Sequence, residues 1–167
     1  GSWGKTKDYD GTDGQQPRYT YIDGNYVHDI GLYQLQSSLF FSGKSCQTSL
    51  TNNIVFNVPR AAILFNDAFG GDNRVLNNVI FNTCTQSGDH GPINSWNRMP
   101  FLTKVASQGQ FASFDAAYSL IKYNFIFANF GGSQAFDTDD GSAWYIMESN
   151  FFYDAMAYKN DYGGYNV

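Results

Sequence analysis

Five side chains in two short segments could carry out acid–base chemistry. Asp89 and His90 are adjacent, and Asp137, Asp139 and Asp140 fall within one later segment. Hydrolysis of a glycosidic bond needs a carboxylic acid and a carboxylate on either side of the bond. Closely packed Asp residues raise one another's pKa values, which would supply the acid. We therefore predict Asp139 or Asp140 as the general acid, Asp89 as the opposing carboxylate and His90 as a residue that tunes protonation.

A repeated phrase indicates which elements hold these side chains. It consists of a turn residue, an Asn, three mostly apolar residues and, shortly afterwards, an Asn or Asp. The five leading Asn residues, at spacings of 28, 25, 46 and 26 residues, are Asn25, Asn53, Asn78, Asn124 and Asn150. Three spacings fit one period, and the fourth fits if the chain carries an insert around residues 100–117. A period in the twenties with short strands is typical of stacked coils, because one coil cannot bury its apolar face alone.

The period predicts an all-β fold, a right-handed parallel β-helix of about five coils with one inserted loop around residues 100–117. A β-sandwich is the alternative, but it accounts for turns every 8–12 residues or so and not for the longer period. A short helix could form over residues 114–120. By strand alternation, six apolar residues should divide between a nearly fully buried inside and the outside: Ile54, Phe56, Val79, Phe81, Phe125 and Phe127.

Stacking would also align the five leading Asn residues at one corner of the coils. Asn tolerates the left-handed backbone of a sharp turn, and its amide can hydrogen-bond the copies above and below. We therefore predict a structural Asn ladder and give these residues no catalytic role.

Polar side chains recur at similar offsets after each ladder Asn. Equal offsets in stacked coils lie on one face, about 4.8 Å apart per coil, so one groove should contain them. Besides the acid–base residues, we predict that substrate is bound by Asn66, Asp67, Asn94, Trp96, Arg98, Lys159 and Asp161, with Gln34 and Gln36 in the first coil of the same stripe. Arg98 could bind a uronate carboxylate with two hydrogen bonds. The insert should form a wall beside this groove.

Other interpretations of these residues stay open at this point. Asp-rich turns also hydrogen-bond backbone amides, so each Asp could be structural. The segment 137–140 and the trio Asp8, Asp10 and Asp13 offer oxygen ligands that Ca²⁺ prefers, although neither has the EF-hand spacing. We therefore assign no residue as a metal ligand. Ca²⁺ stays open as a possible cofactor of these segments. Lys159 or Arg60 could act as the base of a lyase.

Several ordered motifs resemble the right-handed β-helix proteins of the pectin-lyase-like superfamily, which occur as segments of large secreted or surface proteins. The resemblance rests on Ser87-Gly88-Asp89-His90-Gly91-Pro92-Ile93-Asn94-Ser95-Trp96 and on residues 11–18, 33–38, 59–63, 65–71, 137–142 and 159–164. It implies polysaccharide hydrolases and lyases, with binding and structural members as well. The chain departs from the pattern with neutral residues, where ionisable ones are usual, at Gln15, Leu35, Asn97, Tyr165 and Asn166.

Two functions follow from these observations. One is a carbohydrate-active module that acts on or binds an extracellular polysaccharide, with glycoside hydrolysis favoured over lyase chemistry. The other is a non-catalytic structural or adhesive segment of an extracellular fibre or surface protein, which the neutral departures favour. Both place the chain outside the cell or at its surface.

Composition excludes several other classes of function. Hydrophobic residues make up 43% of the 167 residues and charged residues only 15%, so a folded, strand-rich domain is expected. The net charge of −5 and the lack of any Lys/Arg cluster argue against nucleic-acid binding. No apolar run reaches the length of a membrane span, which argues against membrane insertion.

Domain organisation can be predicted as a lead-in over residues 1–17 and a β-helix over residues 18–167. Neither end shows a capping helix, so we expect a fragment of a longer chain whose partners, besides a glycan, are the rest of a larger polypeptide or end-to-end neighbours. Cys46 and Cys84 fall on nearly opposite sides of such coils, so we predict no disulfide between them, which would need Cα atoms within about 7 Å.

Overall fold

The chain forms a parallel β-helix of five coils, as its repeat predicts. The computed structural model describes residues 16–66, 70–97, 101–102, 115–132, 134–160 and 166–167. Three parallel five-stranded sheets run along the coils, and each coil contributes one strand to each sheet. No helix that is long and apolar enough to cross a membrane occurs among these residues.

The strands are short and are numbered here in chain order. The first sheet contains β1 (Tyr21–Asp23), β4 (Ser49–Thr51), β7 (Arg74–Leu76), β12 (Ser119–Lys122) and β15 (Tyr145–Glu148). The second contains β2 (Tyr26–His28), β5 (Ile54–Phe56), β8 (Val79–Thr83), β13 (Phe125–Asn129) and β16 (Phe151–Tyr153). The third contains β3 (Phe40–Ser42), β6 (Ile63–Phe65), β9 (Ile93–Ser95), β14 (Phe136–Thr138) and β17 (Tyr158–Asn160).

The Asn ladder forms at the corner between the first and second sheets. The side-chain amide of Asn25 donates to Asn53 Oδ1 at 2.9 Å, and the same contact at 3.0 Å joins each later pair up to Asn124 and Asn150. Each amide from Asn53 onwards also donates to a carbonyl of a first-sheet strand. The ladder thus satisfies polar groups that the sharp corner would otherwise leave unpaired.

The residue before each ladder Asn adopts the left-handed backbone that the corner requires. These five residues have φ between 56° and 66° and are Gly24, Asn52, Asn77, Tyr123 and Ser149. Gly and Asn adopt this conformation readily, whereas a bulky residue such as Tyr123 is strained in it. The turn residue of the repeated phrase is therefore a backbone requirement.

The core occupies the interior between the sheets, but the prediction for the second sheet is wrong. Its buried residues are Val55, Ile80 and Ile126, each the middle residue of its phrase. The six residues predicted to divide between inside and outside all face outward, because they are two apart within each strand and so share one side. They are covered partly by one another, as in the stacked rings of Phe56 and Phe81, whose centroids are 4.6 Å apart.

The insert begins and ends with a short strand. Strand β10 (Phe101–Leu102) pairs antiparallel with β11 (Asp115–Ala116), and residues 103–114 lie outside the described part. The short helix considered over residues 114–120 is wrong, because β11 and β12 occupy that stretch.

Cys46 and Cys84 are both buried and free, which confirms that no disulfide joins them.

Candidate functional site

An open groove of about 430 Å³ lies along the third sheet and the loops that flank its strands. Its lining contains four of the five acid–base candidates together with three predicted binding residues and Arg60: Arg60, Asn66, Asp89, His90, Asn94, Trp96, Asp139 and Asp140. They come from the second, third and fourth coils. The structure therefore brings together side chains that are up to 80 positions apart in the sequence.

A larger cavity of about 580 Å³ lies at the first coil, away from this groove. Its lining includes Ile22, Leu39 and Phe40, which also pack against the hydrophobic core. This cavity therefore lies against the apolar core at the first coil, and its lining includes none of the acid–base residues.

Strand register places three polar side chains side by side on the outer face of the third sheet. Asn94 pairs with Asp137, and Asp137 pairs with Lys159, across three neighbouring coils. The alternate residues Ile93 and Phe136 belong to the core, so the polar residues point away from it. Asp137 nevertheless has no exposed surface, so its charge needs a partner.

Lys159 supplies that partner and also binds the adjacent carboxylate. Its Nζ lies 3.1 Å from Asp137 Oδ1 and 2.6 Å from Asp139 Oδ1. The side-chain amide of Asn94 donates to the other oxygen, Asp139 Oδ2, at 3.1 Å. Both oxygens of Asp139 are thus held by donors, which fixes the carboxylate at the edge of the groove.

The protonation of Asp139 is the opposite of what its Asp-rich segment predicts. Burial raises the pKa of Asp139, but hydrogen bonds from Lys159 and Asn94 and the charge of Lys159 outweigh burial and hold the pKa below its ordinary value of 3.8. The lowered pKa argues against Asp139 as the general acid, and the alternative assignment to Asp140 stays a prediction. Crowded carboxylates raise one another's pKa only when no cation lies between them, and here Lys159 does.

His90 lies between two carboxylates and a guanidinium. Its Nε2 accepts a hydrogen bond from Arg60, which can only donate, so the proton of the neutral ring is on Nδ1. Asp139 Oδ2 lies 3.9 Å from Nδ1, and Asp89 Oδ2 lies 3.6 Å from Nε2. Burial, and after it the charge of Arg60, hold the pKa of His90 below its ordinary value of 6.5, so the ring is neutral at pH 7.

Close packing of two coils fixes the His90 loop. A Cβ built on Gly91 would lie 1.8 Å from the carbonyl oxygen of Gln134 in the next coil, so only glycine fits there. The backbone of the third coil can therefore approach the fourth directly beside His90. This approach lets the imidazole reach the vicinity of Asp139.

The remaining two carboxylates differ in how they are held. The Asp89 side chain is 92% exposed and projects into the groove beside His90. The indole N–H of Trp96 donates to Asp140 Oδ2 at 3.0 Å, which restricts the orientation of the ring at the groove. Asp140 has a left-handed backbone, with φ of 44°, at the turn that follows β14.

A possible metal site in this region does not fit a divalent cation. Ligand atoms of His90, Asp137 and Asp139 lie within 4.8 Å of one another. The ammonium of Lys159 already contacts both carboxylates, and the proton that Arg60 directs to Nδ1 of His90 blocks the nitrogen nearest Asp139. Ca²⁺ also prefers oxygen ligands to imidazole. The trio Asp8, Asp10 and Asp13 lies outside the described residues.

Two of the neutral departures from the superfamily pattern have structural roles. Asn97 is fully buried, and its side-chain amide donates to the carbonyl of Gly70 at 2.7 Å, which a carboxylate could not do. Asn166 accepts from the backbone N–H of Tyr145 and donates to the carbonyl of Ser142. Neither lines the groove, so their neutrality carries no information against chemistry there.

Three predicted site residues, Asp67, Arg98 and Asp161, lie outside the described residues. Two other residues belong to the site more closely than the sequence indicates. Arg60, which the sequence leaves open as a possible lyase base, contacts both His90 and Gln36. Asp137 pairs with Asn94 and Lys159 across the sheet, and its burial shows that it anchors Lys159.

Comparisons with known proteins were negative: no protein-family model, curated protein or solved structure matches the chain.

Proposed function

We propose that the groove binds an extracellular polysaccharide and that the chain is a carbohydrate-binding module of the pectin-lyase-like type. The observation that carries the proposal is the clustering of Trp96, Asn66, Asn94, Asp89 and Asp140 around one open groove. A sugar presents apolar C–H faces and hydroxyl groups that donate and accept. An oriented indole ring with amides and carboxylates beside it complements both features.

The length of the polar surface favours a chain over a single sugar. Contacts run from Arg60 in the second coil to Lys159 in the fifth, through His90 and Asp139. Three coil steps correspond to about 14 Å. An extended oligosaccharide covers that distance. Such polymers lie outside the cell or at its surface, so we propose that the protein is extracellular or attached to the cell surface.

Hydrolysis of the bound glycan is the second candidate function. It is favoured by Asp89 and Asp139 on either side of the His90 ring, at 3.6 and 3.9 Å from its two nitrogens. In such a reaction Asp139 is the ionised carboxylate, because its pKa is lowered by Lys159 and Asn94 despite burial. The acid is then Asp89 or Asp140. A lyase mechanism is less favoured, because Nζ of Lys159, a candidate base, is already engaged by the carboxylates of Asp137 and Asp139.

The experiment measures binding to a panel of plant, algal, fungal and bacterial polysaccharides by affinity electrophoresis and calorimetry. We expect binding to at least one polymer and a loss of about tenfold or more in Trp96→Ala, because buried aromatic contacts dominate such sites. Tyr21→Ala is the matched control, since Tyr21 is an aromatic residue that is 74% exposed on the first sheet. Its affinity should equal that of the parent protein.

Cleavage is measured separately as the release of reducing ends from each bound polymer. If the groove is hydrolytic, Asp89→Asn or Asp140→Asn, whichever removes the acid, should abolish release, and the affinity of each variant shows whether weaker binding accounts for the loss. Binding without release supports the binding function alone. Absence of binding to every polymer, or binding that Trp96→Ala leaves unchanged, overturns the proposal in favour of a structural or adhesive segment.

A further inference from the structure

We propose that the groove selects uncharged or cationic polysaccharides and rejects polyuronates. This inference deepens the proposed glycan-binding function and rests on it. It concerns the charge of the polymer and not the identity of its sugars.

The described residues of the groove and its floor carry an excess of negative charge. The four carboxylates of Asp89, Asp137, Asp139 and Asp140 face the two cationic side chains of Arg60 and Lys159, which leaves a net charge of −2. His90 adds no charge at neutral pH. The excess has the same sign as the net charge of −5 of the whole chain.

Both cations are committed to groups of the protein. Lys159 holds the buried Asp137 and the adjacent Asp139, and withdrawal of its ammonium would cost the buried Asp137 an ion pair. Arg60 donates through one terminal nitrogen to Gln36 and through the other to His90. These contacts hold the guanidinium at both terminal nitrogens, so a uronate carboxylate would have to share it with Gln36 and His90.

The most accessible ionisable group in the groove is an anion. Asp89 is 92% exposed, whereas the side chain of Lys159 is 26% exposed. A polyuronate carries a carboxylate on every sugar. Each sugar bound along the groove would therefore be repelled by the negative charge of the groove. The repulsion between charges a few ångströms apart is strong at low ionic strength and is weakened by salt. A neutral glycan meets only donors, acceptors and the indole ring.

The test compares three classes of polymer by calorimetry at low and at high ionic strength: neutral glucans, galactans and mannans; polygalacturonate and alginate; and chitosan. We expect neutral polymers or chitosan to bind, and polyuronates to bind at least about tenfold more weakly at low salt. This difference in affinity should decrease as the salt concentration rises. At low salt, Asp89→Asn should decrease the difference in affinity between neutral polymers and polyuronates. Because Asp89 is exposed, this variant should fold.

Glu148→Gln is the charge-matched control, since it removes one negative charge from the first sheet instead of the groove. It should leave the preference unchanged. Tightest binding to a polyuronate overturns this inference and leaves the glycan-binding function intact. Binding to no polymer overturns the glycan-binding function, and the charge preference with it. An equal effect of Glu148→Gln and Asp89→Asn also overturns the inference, since the preference would then reflect only the net charge of the chain.

Discussion

Lys159 is the ion-pair partner of Asp137, a carboxylate without exposed surface, with 3.1 Å between Nζ and Oδ1. The two residues lie side by side in β17 and β14 and are 22 positions apart in the sequence. The same ammonium binds Asp139 at the edge of the groove. One cation therefore links the stability of the last two coils to the geometry of the candidate site.

Replacing Lys159 should destabilise the protein strongly. Lys159→Met removes the ammonium that lies 3.1 Å from the buried Asp137, and loss of one partner of a buried pair costs about 3–5 kcal/mol. The free energy of unfolding from urea titration measures this change. Lys122→Met is the control, because Lys122 pairs with the exposed Glu148 and should lose less than about 1 kcal/mol. Equal losses in the two variants would show that Asp137 does not depend on Lys159.

The pKa of Asp139 should make the protein less stable in acid. Because the folded pKa lies below the ordinary value of 3.8, the contribution of Asp139 to stability is fully present above that value. It is lost as the pH falls through the lower folded pKa. Urea titrations below pH 5 should therefore show a steeper decline for the parent protein than for Asp139→Asn. Parallel declines would contradict the lowered pKa.

His90 should remain neutral at pH 7 with its proton on Nδ1. Since burial and Arg60 lower its folded pKa below 6.5, the unfolded state takes up a proton first as the pH falls, and stability decreases through that interval. Nitrogen-detected NMR of labelled histidine should report a protonated Nδ1 and an unprotonated Nε2. Arg60→Met should mix the two tautomers, because the donor that fixes Nε2 is gone. A ring already charged at pH 7 would refute the prediction.

The ladder should be weaker at its end than at its centre. Asn78 accepts from the backbone and side-chain amides of Asn53 and donates to the carbonyl of Leu50, all of them buried contacts. Asn78→Ala should therefore cost about 1–3 kcal/mol for each group left unpaired. Asn25→Ala, at the first coil, removes donors to Asn53 and Asp23 and should cost less than about 1 kcal/mol. Thermal and urea unfolding check the order.

Tyr123 should be a site of stabilisation. It has φ of 59° and is 59% exposed, while Asn occupies the same corner position in the second and third coils. Because Asn tolerates the left-handed backbone better, Tyr123→Asn should add about 0.5–1 kcal/mol to the free energy of unfolding. Tyr26→Asn replaces an equally exposed strand residue and should give no gain. A gain in both variants would show that replacing an exposed Tyr with a polar side chain stabilises the protein, whatever the backbone conformation.

Both cysteines should be unreactive in the folded protein. Burial raises the pKa of Cys84 to about 12 and also raises the pKa of Cys46, so neither forms an appreciable thiolate at pH 8. A thiol reagent should therefore label neither at an appreciable rate until denaturant is added, and two thiols per chain afterwards. Rapid labelling of Cys84 in the native protein would show that its coil opens locally.

The repeat alone determined the coil architecture and the ladder. Its signal survives in one sequence because the corner between the first two sheets is the same length in every coil, so Asn25 through Asn150 keep one position. Alternation also decides which strand residues face inward, and the prediction for Ile54 and Phe56 was wrong only because residues two apart were assigned to opposite sides. Asp89, His90, Asp139 and Asp140 follow their ladder Asn residues at similar but unequal offsets, and these predicted that the four lie in one groove.

Tertiary structure decided the chemical state of those residues. The connection from the second to the third sheet varies, from residues 29–39 in the first coil to residues 154–157 in the fifth, so equal offsets do not give equal register. Only strand pairing places Lys159 beside Asp137 and brings its charge to Asp139. A pKa depends on burial and on charges within a few ångströms, and those distances are set by packing across coils. The sequence could therefore locate the carboxylates, while the fold determined which of them holds its charge.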